Sequence, residues 1–111
     1  MQIQEQQQGA VLVLRPDGPL TEVDAAEFKG RLLEAHRDSL GRFVVDASGI
    51  PLTDSKGLEA LVEVTEEMAL TGKALKLCAT GETLRQVLEL TGLAPMFEHF
   101  EDVNVAVRSF L

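Results

Sequence analysis

Short apolar runs alternate with stretches of helical periodicity along this chain. Ala10 to Arg15 is a continuous apolar run ending in a charge, the pattern of a buried strand. Phe43 to Asp46 and Ala74 to Ala79 repeat it. Between them, Ala25, Phe28, Leu32 and Ala35 recur at helical spacing, as do Leu58, Leu61, Val62, Thr65, Met68 and Ala69 over residues 55–70. Leu84, Val87, Leu88 and Thr91 mark a third helix, and Val103, Ala106, Val107 and Phe110 a short fourth one. Pro16-Asp17-Gly18-Pro19 and Thr80-Gly81 read as turns, and Gly41 and Gly72 as breaks. Gly92 followed by Pro95 ends the third helix, leaving Met96 to Phe100 as a short extended piece. The glutamine-rich residues 1–8 read as a polar edge strand, with a disordered tail as the rival reading.

Strands separated by helices need crossover connections, which favour parallel pairing. On the strand reading of residues 1–8, the opening hairpin across Gly9 adds an antiparallel strand. The pattern therefore predicts an α/β fold: one domain over residues 1–111, with a small, mixed, mostly parallel sheet of four or five strands and about four helices. At 111 residues the chain suits one core-forming domain. With five Phe and neither Trp nor Tyr, that core must be mostly Leu, Val and Ala.

Charge narrows the partners. Ten basic and 18 acidic residues give a net charge of −8, which disfavours direct nucleic-acid binding and anionic membranes. No apolar stretch approaches the roughly 20 residues of a membrane span, and the glutamine-rich start does not resemble a signal peptide. The expectation is a cytoplasmic protein, monomeric, with no membrane insertion. Cys78 is the sole cysteine and lies in an apolar run, which suits buried packing.

The chemistry concentrates where the second helix begins. Ser55 opens it, directly after Asp54. A serine there has two readings: a hydroxyl that caps backbone N–H groups, or a hydroxyl that accepts a phosphate beside a positive helix end. Gly57, in the first turn, either leaves room for a partner or relieves packing. Thr21 or Asp24 can cap the first helix, with Glu27 completing a capping box from Asp24. Other chemistry is absent from the pattern. His36 and His99 stand far apart with no ligand spacing, so no metal is expected, and no glycine-rich phosphate loop implies a cofactor. The surroundings of Ser55 are not a nucleophile elbow, so no enzyme activity is expected.

Asp54-Ser55-Lys56-Gly57-Leu58 resembles the Asp-Ser-x-Gly-Leu motif of STAS domains, and of bacterial anti-sigma factor antagonists in particular. Gly18-Pro19-Leu20, Phe43-Val44-Val45-Asp46 and Leu90-Thr91-Gly92-Leu93 are similar to further elements of that family, in the same order along nearly the whole chain. The resemblance implies a STAS-like fold and a switch without catalysis. In that scheme the unphosphorylated antagonist binds an anti-sigma factor that is also a serine kinase, and a sigma factor is released. The kinase phosphorylates the antagonist's serine and a separate phosphatase restores it. On this match Ser55 is the phosphorylation site, and Thr21, Asp54, Ser55, Lys56, Gly57 and Leu58 form the partner-binding surface. Lys56 stands where many members have a second serine, and Thr21 where many antagonists have an acid. The alternative is a non-switching STAS subunit of a stress-signalling scaffold or a lipid-transport complex, with Ser55 serving mainly as a cap.

Overall fold

The computed structural model describes all 111 residues. Strands β1 (Gln2–Gln8) and β2 (Val11–Asp17) form the antiparallel hairpin, in register from Gln2 opposite Asp17 to Gln8 opposite Val11. Helix α1 (Glu22–Asp38) then crosses over to β3 (Phe43–Asp46), helix α2 (Ser55–Ala69) to β4 (Lys76–Cys78), and helix α3 (Glu82–Leu90) to β5 (Glu98–Phe100). Each crossover returns the chain parallel to the strand before it, so β2 through β5 pair in parallel in sequence order. Helix α4 (Val103–Arg108) closes the chain.

Alternation along the strands divides the core into two layers. Leu14, Val45 and Leu77 face α1, α2 and α3, and meet Phe28, Leu32, Leu61, Val64, Leu84 and Leu88. Val11, Val13, Val44 and Cys78 point the other way, where only α4 covers them through Ala106. Phe28 and Phe43 are fully buried, and burial of such a ring contributes about 1.5–3 kcal/mol. The Cys78 thiol donates to the Val45 carbonyl at 3.4 Å, and burial pushes its pKa up to about 12. It packs as a small apolar group, as its apolar neighbours predict. Thr65 is the one buried polar side chain of α2. Its hydroxyl donates to the Met96 carbonyl (2.8 Å) and accepts from the Leu75 amide (3.1 Å), tying α2 to two loops.

Several boundaries differ from the sequence reading. β2 continues through Pro16 to Asp17. Pairing with β3 ends at Leu14, so at Pro16 the strand is paired on one side only, where a proline is tolerated. β4 is shorter than Ala74 to Ala79, and a 3₁₀ turn at Ala94–Met96 precedes β5. Asp24 does not cap α1. It lies inside the helix, and its carboxylate pairs with the Met1 ammonium at 2.9 Å.

His36, in the last turn of α1, packs 6.4 Å from the Phe43 ring, and its buried Nδ1 has no hydrogen-bond partner. Burial, and secondarily the Lys73 charge, lowers its pKa below the ordinary 6.5. The unfolded chain therefore takes up this proton more readily than the fold does. The neutral ring's contribution is complete above pH 6.5 and is lost as pH falls toward the depressed folded value. Denaturant unfolding across pH 8 to 5 should show this acid-side loss in the wild type, and a smaller loss in His36→Gln.

Candidate functional site

The C-terminal ends of β2 and β3 feed two loops that run side by side toward the starts of α1 and α2. The Gly18 amide donates to the Gly49 carbonyl (2.9 Å) and the Leu20 amide to the Leu52 carbonyl (3.0 Å). Leu20 and Thr53 form an isolated parallel bridge, and the Asp54 amide returns to the Leu20 carbonyl (3.2 Å). The Thr53 hydroxyl donates to the same Leu20 carbonyl at 2.8 Å. The parallel pairing of β2 and β3 thus resumes beyond the sheet and delivers two helix N-termini to one place.

Asp54 joins them. It is the N-cap of α2, and its Oδ1 accepts from the Gly57 amide at 2.8 Å. Its Oδ2 accepts from the Glu22 amide, the first of α1, at 2.9 Å. Thr21 occupies the N-cap position of α1, but its side chain makes no cap hydrogen bond. Asp54 supplies that cap from 32 residues away. The amides of Gly57 and then Glu22 stabilise the carboxylate and lower its pKa below the usual 3.8. This corrects the capping reading of Ser55. None of the hydrogen bonds at this end of α2 uses its hydroxyl, and Asp54 takes the cap one residue earlier.

Ser55 is left exposed at the first helical position, beside the exposed Lys56. The Lys56 ammonium lies 3.4 Å from Glu59 on the next turn. Thr21, Asp54, Ser55 and Lys56 therefore meet at one end of the molecule. Gly57 and Leu58 belong beneath that surface: Gly57 is buried, and half-buried Leu58 packs against the core. A Cβ on Gly57 would stand 2.2 Å from both the Leu20 carbonyl oxygen and the Thr53 hydroxyl. Of the two readings of this glycine, packing against the chain's own loop accounts for it. Two exposed apolar side chains, Val23 (90 %) and Leu52 (47 %), flank the joined segments and were not singled out by the sequence. Periodicity assigns neither to a core face, so only their exposure next to the site marks them. No three His, Cys, Asp or Glu side chains converge as metal ligands, and no helix is long and apolar enough to cross a membrane.

The molecule is thus a small α/β domain whose candidate site is a serine on a shared helix N-terminus. Residues 2–106 match the STAS domain family, and the chain belongs to that family. The fold is similar to a candidate anti-sigma factor antagonist of Thermotoga maritima (TM-score 0.86, 19% identity, 96% of this chain and 92% of that one). It is also similar to the anti-sigma factor antagonist SpoIIAA in its unphosphorylated form (TM-score 0.74, 17% identity, 98% and 96%). A third likeness is to the murine anion transporter Solute Carrier 26 family member A9 (TM-score 0.76, 15% identity), where 95% of this chain corresponds to 18% of that chain. At these identities the structural likenesses establish the fold.

Two variants test the geometry. Gly57→Ala must push the Leu20–Thr53 segment aside and should cost about 1–3 kcal/mol by denaturant unfolding. Asp54→Asn keeps the shape but loses the charge. The wild type's advantage over it should be constant above the ordinary carboxylate pKa of 3.8 and shrink as pH falls through the depressed folded value.

Proposed function

We propose that this protein is an anti-sigma factor antagonist, a protein-binding switch controlled by phosphorylation of Ser55. In its unphosphorylated form it binds an anti-sigma factor that is also a serine kinase, and so frees a sigma factor in the cytoplasm. The kinase transfers the γ-phosphoryl of ATP to the Ser55 oxygen. The hydroxyl proton is released and ADP leaves. A phosphatase hydrolyses the ester and resets the switch. The protein itself performs no catalysis.

One observation carries this reading: the serine of the family motif is exposed and uncommitted, while its neighbour Asp54 holds the helix ends. A kinase can reach the hydroxyl without breaking an internal bond. The apolar Val23 and Leu52 beside it suit a protein partner. A phosphate brings about −1.5 to −2 charge at pH 7. It would arrive next to the Asp54 carboxylate, which already occupies the Gly57 and Glu22 amides. Lys56 is the adjacent cation, already near Glu59. The added charge is therefore presented outward to the partner, and desolvating it there costs several kcal/mol.

The non-switching reading gave Ser55 a structural role as a cap. With that role taken by Asp54, Ser55→Ala should change stability by less than about 0.5 kcal/mol, as surface substitutions generally do. Calorimetric titration against the cognate anti-sigma kinase tests the switch. Ser55→Asp should weaken binding by about 100-fold or more, a loss of about 2.8 kcal/mol, with little change in Tm. Equal affinity of Ser55→Asp and wild type would overturn the switch and leave a constitutive interaction module.

A further inference from the structure

The end of the sheet opposite Ser55 carries an arrangement that the switch does not use. Every helix except α4 enters that end before a parallel strand begins, and α4 finishes there as well. Arg37, Arg42, Lys73, Lys76 and Arg108 gather on these turns. They are half of the chain's ten basic residues, and none makes an ion pair. Of the other five, Arg15, Lys29, Arg31 and Lys56 are each paired with a carboxylate and only Arg85, on α3, is not. The acids on these turns include Asp38, Glu66, Glu67 and Glu98, none of which pairs with these cations.

Two of these cations are held by neutral groups. The Lys73 ammonium donates to the Leu40 carbonyl at 2.8 Å. The Lys76 ammonium donates to the Ser109 hydroxyl at 2.6 Å and sits 3.9 Å from the centre of the Phe110 ring. Such contacts fix the position of a charge without pairing it to a carboxylate. Phe110 also separates two recesses. One, of about 390 Å³, holds Lys73, Lys76 and Glu98. The other, of about 460 Å³, has an apolar floor of Val11 and Val107, with Arg42 at its rim. Beside them, Leu40 is 77 % exposed with a φ of 55°, a left-handed conformation that is uncommon for a leucine, and Leu70 is 79 % exposed.

The geometry points to this end as a second docking surface, which takes an acidic protein segment bearing leucine-like side chains. Cations without carboxylate partners select carboxylates, and for Lys73 and Lys76 the ordering is already complete before the partner arrives. Apolar recesses and exposed leucines select a segment with apolar side chains between its acids. The net charge of −8 opposes phosphate-dense surfaces such as DNA or an anionic bilayer. A short acidic segment meets mainly the local field, because screening acts over about 8 Å at physiological salt and the molecule is 32 Å long. The surface lies at the other end of the strands from Ser55, so it can be occupied whether or not Ser55 is modified.

The test is a titration of isotope-labelled protein with a short synthetic glutamate–leucine peptide, followed by backbone amide shifts at low and physiological salt. Shifts should appear at Gly41, Arg42, Gly72, Lys73 and Lys76, spare Ser55, and shrink as salt rises. Reversing two exposed charges, Arg42→Glu with Arg108→Glu, should weaken binding by at least about tenfold, as loss of complementary charge does. If that variant fails to fold, the salt dependence in the wild type decides. Equal binding of a lysine–leucine peptide, shifts confined to the Ser55 end, or no shifts would overturn the proposal. So would binding to phosphatidylserine vesicles without peptide shifts, which would assign the surface to a membrane. Self-association abolished by the same charge reversals would assign it to a second copy, and would overturn it too.

Discussion

A single carboxylate, that of Asp54, closes the N-termini of both helices that build the candidate site. Two helix ends aimed at one place would leave unpaired amides and two positive dipole ends close together. Asp54 answers both with one charge. The rest of the site follows from this. The loops before α1 and α2 must lie side by side, which the Leu20–Thr53 bridge ensures. No side chain can stand between them, which restricts position 57 to glycine. Thr21 need not cap anything, and Ser55 need not either. The structural work at this helix end is done by Asp54, and the serine beside it takes no part in it.

The same clamp gives the proposed switch its direction. A lone helix N-terminus stabilises an added anion. Here the helix ends already hold one, so a phosphate on Ser55 gains little inside the domain and acts on whatever faces it. The fold can stay intact while the surface changes sign.

Much of the fold was legible because its elements are locally consistent. Phe43-Val44-Val45 is apolar on both faces, as a central parallel strand covered by helices must be, and Phe28, Leu32 and Ala35 repeat at helical spacing along α1. Cys78 was readable as a packing residue for the same reason. The misreadings share one cause: they turn on partners distant in sequence. Asp24 looks like a capping box with Glu27, but α1 already begins at Glu22, whose amide Asp54 caps from across the fold, so Asp24 lies inside the helix. Ser55 is as good an N-cap residue type as Asp54, and the Asp-to-Gly spacing decides between them only when the Gly57 amide can be seen. Pro16 reads as a strand breaker until the missing neighbour on its β3 side is known. The site motif was visible as a run of residues; the reach of Asp54 to α1 was not.

The central claim is that Ser55 is kept apart from the structural work of its helix end so that it can be modified. Fragmentation mass spectrometry of the protein isolated from its own growing and stressed cells, reading the peptide around Ser55, tests this most directly. The account predicts a phosphate on Ser55 whose occupancy changes with condition. An unmodified Ser55 under every condition would contradict it.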